Sequence, residues 1–295
     1  MGATFIRAVD RFRRAFSRRD LMEALLVAVA FLLYFAVRGA VIDRPEVAYR
    51  HAVDIIDAQR RLGFFWEDNI QRWSEHKLVL VQAFNLIYFY LHFPLIIVFG
   101  IALYCTNRRK YTLMRDAFLA SGALALLVYW LYPVAPPREL PALAARFDAN
   151  APSYITSFID TMQVHLGYAY DTQSTRAFVN PYAAMPSLHF GWDLLLGIGL
   201  CWWAWGTRFK WIVVPIGIAL PISQIFAITI TGNHFFLDAM AGAAISLCGF
   251  PIAIAMGRYV YPWLSRRIMN LPWPLVRNFF LPNRELKPDV ATKLP

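Results

Sequence analysis

Six long runs of apolar residues, separated by polar segments, dominate the hydropathy pattern of the 295-residue chain. A helix needs about 17–25 predominantly apolar residues to cross a bilayer, and each run reaches that length. Inside lipid the backbone must satisfy its own hydrogen bonds, so each run is predicted to be a helix. The predicted spans are 21–37, 78–104, 113–133, 189–205, 211–230 and 235–257. The pattern therefore predicts an all-α polytopic membrane protein, a bundle of six transmembrane helices.

Short amphipathic helices are predicted in the loops between the spans. In 45–62 the apolar positions recur at helical spacing, and Gly63 is expected to end that helix. The segments FFWEDNIQRW and PSYITSFIDTMQVHL predict further short helices. We expect the first two of these helices to lie on the outer membrane surface.

Composition supports a membrane protein and disfavours several other classes. Hydrophobic residues make up 58% of the chain and charged residues 16%, whereas a soluble domain has about 45–50% and about 25%. An ordinary soluble domain, a disordered chain and a secreted disulfide scaffold are therefore disfavoured. The three cysteines have no metal-ligand spacing, and we expect no metal and no other cofactor.

Basic residues are distributed unevenly between the two sides of the predicted bundle. One side holds 19 of the 29 Lys and Arg residues, in the segments 1–20, 105–116, 206–210 and 258–295. Because basic residues favour the cytoplasmic side, both termini are predicted to be cytoplasmic. The expected domains are a basic amphipathic segment at 1–20, the membrane domain at 21–257 and a basic tail at 258–295. Membrane topology thus accounts for the net charge of +10, and no nucleic-acid partner is expected.

Polar residues gather at the mouths of three predicted spans, on the side opposite the termini. They are Arg138 after the third span, Ser187 and His189 at the fourth, and Asn233, His234 and Asp238 at the sixth. Polar groups near the membrane are costly, which makes each of them a functional candidate. Each residue alone is commonly structural, but their convergence on one face favours a site.

The residue types at this face suit phosphoryl transfer. His234 and Asp238 are four residues apart, so they are neighbours on a helix face. A carboxylate on one imidazole nitrogen fixes the tautomer and leaves the other nitrogen available as a nucleophile or base. His189 supplies a second proton-transfer group, and the planar fork of Arg138 matches phosphate oxygens. Ser187 could add a hydrogen-bond donor. This set predicts transfer through a phosphohistidine.

Three further polar residues have weaker claims. His92 lies inside the second span, where interhelical hydrogen bonding is favoured over catalysis. Asp193 is one turn after His189 and could orient that ring or pair with Arg138. His92 and Asp193 are therefore candidates for a supporting role around the site. Glu67 is in an outer loop, where a solvated position is favoured over binding a lipid headgroup.

Three motifs resemble a known family. YPVAPPR, MPSLHFGW and GNHFFLDAMAG together resemble the type 2 phosphatidic acid phosphatase superfamily, and more narrowly its branch of inositol phosphorylceramide synthases and related actinobacterial membrane proteins. The resemblance implies that His234 attacks phosphorus, that Asp238 orients it, and that His189 protonates the leaving lipid oxygen. It also implies a six-helix membrane core, Ser187 and Arg138 as phosphate ligands, and no metal.

Two positions depart from the superfamily's motifs. Its first motif has a lysine where this chain has Leu131, and its third motif has an arginine where this chain has Ile228. Two of the usual phosphate-binding cations are therefore absent, and Arg138 is left as the main one. Asn233 or a basic residue from 38–77 could take their place.

The leading hypothesis is a membrane lipid phosphotransferase that passes a phosphate-containing headgroup from a membrane lipid to an alcohol or polyol acceptor. Its site would face the periplasmic or extracytoplasmic side of the plasma membrane. A lipid-phosphate phosphatase is the first alternative, and a non-catalytic anionic-lipid binding or transport protein is the second. The enzyme hypotheses require His234 and Asp238 together, whereas a binding protein should tolerate His234→Gln. The oligomeric state is left open.

Overall fold

The computed structural model describes residues 18–40, 44–166 and 180–269. The described residues form two compact units. The larger unit is Phe31–Ile254 and contains all the candidate site residues, and the smaller takes in 18–30 and 255–269. Most of the two predicted basic segments lies outside the described residues, so the predicted domain boundaries stay predictions.

Helices make up nearly all the regular structure of the described residues, so the all-α prediction is confirmed there. They are α1 (Arg18–Gly39), α2 (Pro45–Arg61), α3 (Glu67–Glu75), α4 (Leu78–Thr106), α5 (Arg108–Leu131), α6 (Leu140–Phe147), α7 (Ser153–Thr156), α8 (Thr161–Leu166), α9 (Leu188–Ala204), α10 (Lys210–Ile230), α11 (Phe236–Ala255) and α12 (Tyr261–Met269). A π-helical segment, Ile87–Leu91, lies within α4, and another, Met256–Val260, follows α11. A β-bridge joins Val134 to Ala183.

Five helices in the described part of the chain are long and apolar enough to cross a membrane. They are Asp20–Gly39, Leu78–Thr106, Arg108–Leu131, Lys210–Ile230 and Phe236–Arg267, and they match five of the six predicted spans. The remaining predicted span corresponds to α9, whose 17 residues reach only the lower end of the range of about 17–25. The chain is an integral membrane protein, and the count of six spans stays a prediction.

The beginning of α9 lies directly against α11. A Cβ atom added to Gly242 of α11 would come within 2.1 Å of the carbonyl oxygen of Ser187. Only glycine allows the two backbones to approach this closely, and small residues commonly serve this purpose between membrane helices. The amide of Ser187 donates a hydrogen bond to the carbonyl oxygen of Asp238 at 2.9 Å. These contacts set the predicted site residues of α9 beside those of α11.

The outer helix α2 forms as its periodicity predicts, but its apolar face is covered by protein instead of lying on the membrane surface. Ala48 accepts a hydrogen bond from the amide of Ala135, and His51 bonds through Nδ1 to the carbonyl oxygen of Pro133 at 2.8 Å. Gly63, with φ of 78°, follows the end of α2 as expected. The buried cluster around α2 includes Ala52, Ile56, Leu140, Ile155 and Phe235.

The predicted solvated position of Glu67 is wrong, because the carboxylate is fully buried. Its Oε1 accepts hydrogen bonds from Nε2 of Gln59 and, at 2.7 Å, from the amide of Phe236. The first amides of a helix have no partner within the helix, so α11 needs such an acceptor. Burial raises the pKa of the Glu67 carboxyl group. Glu67 thus joins α2 and α3 to the first turn of α11.

Candidate active site

Three histidines from different parts of the chain surround one small cavity. They are His92 in α4, His189 in α9 and His234 just before α11. The cavity is about 20 Å³, which is room for about one water molecule. The other residues that line it are Tyr34, Arg38, Phe93, Tyr129, Ala183, Leu188 and Trp192. Within the described ranges, no group of His, Cys, Asp or Glu side chains could hold a metal ion, and the expected lack of a metal stays a prediction.

The ring of His234 is held in one tautomer by a backbone carbonyl group. Its Nδ1 lies 2.7 Å from the carbonyl oxygen of Ala184. Because a carbonyl oxygen only accepts hydrogen bonds, Nδ1 carries the proton and donates. In the neutral ring the lone pair is then on Nε2, and this nitrogen lies 3.3 Å from the hydroxyl of Tyr88. This is the tautomer that a histidine attacking through Nε2 requires.

Asp238 stands near His234 without forming a hydrogen bond to it. Its Oδ2 is 3.7 Å from Nδ1 of His234, which is beyond hydrogen-bond range but close enough for strong charge attraction. The same oxygen accepts a hydrogen bond from the amide of Phe235 at 2.8 Å. Asp238 is fully buried. The tautomer is therefore fixed by Ala184, and the carboxylate is placed to stabilise positive charge on the ring.

Tyr88 connects the two predicted catalytic histidines. Its ring stacks on His189 with centroids 4.0 Å apart, and His189 lies 5.9 Å from His234, centroid to centroid. Tyr88 is part of the π-helical segment of α4, and such segments are frequent at functional sites. Sequence analysis did not identify Tyr88 as a site residue, because hydropathy does not show where a helix contains a π-helical turn.

A second histidine–carboxylate pair lies behind His189. Nδ1 of His92 is 2.8 Å from Oδ1 of Asp193, and both side chains are buried. The His92 ring lies 4.7 Å from that of His189. Asp193 thus reaches His189 only through His92, and its bond is with that ring, not with Arg138. The contact joins α4 to α9, which is the interhelical hydrogen bond that sequence analysis favoured for His92.

Arg138 connects the first predicted cluster to the third, although it does not line the cavity. Its guanidinium donates a hydrogen bond to Oδ1 of Asn233 at 2.7 Å. Two carboxylates lie within ion-pair distance, Asp160 at 3.3 Å and Glu139 at 3.5 Å. Since Asn233 directly precedes His234 in the chain, Arg138 helps to hold the turn that presents His234.

Ser187 caps the N-terminus of α9. Its Oγ accepts a hydrogen bond from the amide of Phe190 at 3.4 Å, and the residue is fully buried. Ser187 is not among the residues that line the cavity. The side chain thus has a structural role at the start of α9, and its part in phosphate binding stays a prediction.

The two positions that lack the superfamily's cations contribute nothing polar to the cavity. Leu131 is exposed at the end of α5, and Ile228 is fully buried in an apolar cluster. Arg38, which belongs to the range 38–77 named above as a possible source of a cation, does line the cavity. Its guanidinium carbon is 5.9 Å from the ring centroid of Tyr129. Sequence analysis ended the first span at residue 37, whereas α1 continues to Gly39.

Apolar helices of membrane-spanning length and a buried histidine–carboxylate cluster define an integral membrane protein with an enclosed polar site. A family model described as the PAP2 superfamily matches residues 53–252, more than half of the chain. The chain therefore belongs to the PAP2 superfamily and is an enzyme that acts on lipid phosphate. The resemblance carried by the three motifs is confirmed.

One curated relative extends over most of both chains. It is a phosphoinositol dihydroceramide synthase from Bacteroides thetaiotaomicron, 24% identical over 238 residues, which are 76% of this chain and 75% of the relative. This similarity is consistent with the predicted branch of inositol phosphorylceramide synthases. No solved structure matches the chain. Family and relative together support a membrane lipid phosphotransferase or phosphatase.

Proposed function

We propose that this protein is a membrane lipid phosphotransferase that moves a phosphate-containing headgroup from a lipid to an alcohol through a phosphohistidine on His234. The observation that carries the proposal is the tautomer of His234. Its Nδ1–H donates to the carbonyl oxygen of Ala184, and the lone pair of Nε2 is available. Such a nitrogen can attack phosphorus without first losing a proton.

The first half-reaction forms the phosphohistidine. A bond forms between Nε2 of His234 and phosphorus, while the bond from phosphorus to the leaving lipid oxygen breaks. His189, protonated at this stage, gives its proton to that oxygen, so the lipid leaves as a neutral alcohol. The His234 ring becomes positively charged, and Asp238, with Oδ2 at 3.7 Å from Nδ1, stabilises that charge.

The second half-reaction resolves the phosphohistidine. The oxygen of the acceptor alcohol attacks phosphorus, His189 takes the proton of that hydroxyl, and the bond from phosphorus to Nε2 breaks. An alcohol acceptor is supported by the relative, whose name joins a phosphoinositol group to dihydroceramide. We extend to this chain only the type of reaction, the transfer of a headgroup to a lipid or polyol hydroxyl.

A lipid-phosphate phosphatase is the second candidate, and membership of the PAP2 superfamily supports it as well. About 20 Å³ beside His189 and His234 holds about one water molecule. Water in that position could resolve the phosphohistidine and release inorganic phosphate. A phosphate group is larger than the cavity, so in either reaction the lining side chains must move for the substrate to bind.

The proposal includes a location for the reaction. The bias of basic residues toward one side of the spans supports cytoplasmic termini. The polar clusters lie at the opposite ends of the spans, so the site would face the extracytoplasmic side of the plasma membrane. The lipid substrate would enter sideways from that leaflet.

The proposal is tested by turnover of a panel of lipid phosphates and phospholipids, with and without added alcohol acceptors. Purified wild type is compared with His234→Ala in the same detergent. His76→Ala is the matched control, because His76 is exposed and lies outside the site. We expect turnover in wild type and in the control, and none in His234→Ala.

Dependence on the acceptor identifies a transferase, and release of phosphate without acceptor identifies a phosphatase. Unchanged turnover in His234→Ala would refute both enzyme mechanisms.

A further inference from the structure

We propose that Arg38 binds the phosphate group that His234 attacks, an inference that rests on the proposed function. Arg38 would thereby supply from the first helix the positive charge that the motifs lack at Leu131 and Ile228. No motif in the sequence assigns this role to it.

Arg38 lines the same cavity as the two histidines. It lies in the last turn of α1, and His189 and His234 contribute to the same cavity wall. A transferring phosphoryl group spreads negative charge over its oxygens, and catalysis depends mainly on positioning and on stabilising that charge. A guanidinium lining the same cavity as His234 offers paired donors that match two phosphate oxygens. Arg38 therefore has both the position and the chemistry for this task.

Arg138 is less suited to the same task. Its guanidinium bonds to Asn233, and the carboxylates of Glu139 and Asp160 lie within 3.5 Å. Two negative charges around one arginine oppose the approach of a phosphate, and Arg138 does not line the cavity. The two arginines therefore have different roles. Arg138 holds the turn before His234, and Arg38 meets the substrate.

A purely structural role for Arg38 makes different predictions. A basic residue in the last turn of a helix interacts favourably with the helix dipole, and the guanidinium of Arg38 lies 5.9 Å from the ring of Tyr129. Such a role affects folding but has no specific effect on anion binding. Affinity for a phosphate-like anion therefore separates the two roles.

The first measurement is binding of orthovanadate and of inorganic phosphate to the full chain in detergent, by titration calorimetry. The variants are Arg38→Gln and Arg38→Lys, with Arg50→Gln as control, because Arg50 is exposed and its loss changes the net charge equally. Hydrogen bonds to charged groups contribute enough that Arg38→Gln should weaken anion binding about 10- to 100-fold. Arg38→Lys keeps the charge but not the fork and should lie between wild type and Arg38→Gln. The control should match wild type.

The second measurement is turnover of the lipid found in the panel. Loss of one electrostatic stabiliser typically lowers the rate about 10²–10³-fold, and we expect this for Arg38→Gln at an unchanged unfolding temperature. If turnover requires His234 while Arg38→Gln binds anions and reacts like Arg50→Gln, the Arg38 proposal is overturned and the proposed function stands.

The opposite outcome is equally informative. If orthovanadate binding requires Arg38 but His234→Ala leaves turnover unchanged, the anion site stands and the proposed function fails. Folded wild type that binds neither anion overturns the Arg38 proposal. Should Arg38→Gln not fold, Arg38→Lys decides, and an affinity equal to that of wild type would overturn the need for a guanidinium.

Discussion

Replacement of Asp238 by asparagine tests the electrostatics of the candidate site in isolation. Asparagine removes the negative charge but retains an oxygen that can accept the hydrogen bond from the amide of Phe235. The tautomer of His234 should persist, because Ala184 and not Asp238 accepts the hydrogen bond from Nδ1. The substitution therefore removes one contribution, the attraction between the carboxylate and a positively charged ring.

The size of the effect follows from the distance. The His234 ring becomes a cation when Nε2 bonds to phosphorus, and Oδ2 of Asp238 is 3.7 Å from Nδ1. Two unit charges about 4 Å apart attract by about 4 kcal/mol at an effective dielectric constant of about 20. Since about 1.36 kcal/mol corresponds to a tenfold change in rate, Asp238→Asn should slow phosphohistidine formation about 10³-fold.

The assay is kcat on the lipid that wild type turns over, combined with single-turnover trapping of the phosphoenzyme in alkali, where the P–N bond of phosphohistidine is stable, and its loss on treatment with acid. Asp148→Asn is the control, because Asp148 accepts a hydrogen bond from Tyr49 outside the site. A loss smaller than about tenfold in a folded Asp238→Asn protein would refute the claim that the carboxylate stabilises a ring cation. A large loss with a greatly lowered unfolding temperature would instead assign Asp238 a structural role.

Two other substitutions test how the site is supported. A Cβ at Gly242 would lie 2.1 Å from the carbonyl oxygen of Ser187, so Gly242→Ala should displace α9 from α11. A displacement of about 1 Å at a catalytic group can lower the rate about 10²-fold. Gly100→Ala, with no atom within 4 Å of the added Cβ, should retain full activity, and equal activity of both variants would contradict this packing. Burial raises the pKa of Glu67, so its contribution to stability is present at low pH and is lost as pH rises through the raised pKa. Glu67→Gln should therefore gain unfolding temperature relative to wild type as pH rises above the ordinary range of a glutamate carboxyl group. A difference independent of pH would contradict a buried, titrating carboxyl group.

Much of the helical framework could be predicted because hydropathy reports burial in lipid directly. Five predicted spans correspond to helices of sufficient length, and the 3.6-residue period of α2 identified its buried positions. The meeting of His189 and His234 also follows from the sequence. Spans that alternate in direction bring the start of the fourth and the start of the sixth to the same side, so residues distant in the chain come together.

Other parts of the site could not be predicted from the sequence. Hydropathy does not show which way a side chain at the end of a helix points. Arg38 stands at the boundary between an apolar run and a polar segment, where a basic residue is as easily a topology signal as a ligand. Only the position of the last turn of α1 shows that it lines the cavity. The position of Tyr88 in the site could not be predicted for a related reason. A π-helical segment changes which residues of a helix face inward, but it does not change the amino-acid composition.

The amphipathic pattern of α2 and α3 shows that one face is buried but not what covers it. Membrane lipid and protein are equally apolar partners for Ile56, and the pattern alone does not separate them. The burial of Glu67 depends on the exposed amides at the start of α11, which attract a carboxylate from a distant part of the chain. Pairings of this kind arise from tertiary structure, so local sequence does not indicate them.

Ala184 and Asp238 have different roles around His234, and this difference favours catalysis. The closer a carboxylate lies to Nδ1, the more it also stabilises a ring protonated on both nitrogens in the resting enzyme, and such a ring is not nucleophilic. In this structure the neutral carbonyl group of Ala184 holds the reactive tautomer, and Asp238 remains at 3.7 Å. The attraction of Asp238 becomes large only when the ring acquires charge as the bond to phosphorus forms. An interaction that strengthens in the transition state accelerates the reaction, whereas one of equal strength in the resting state does not.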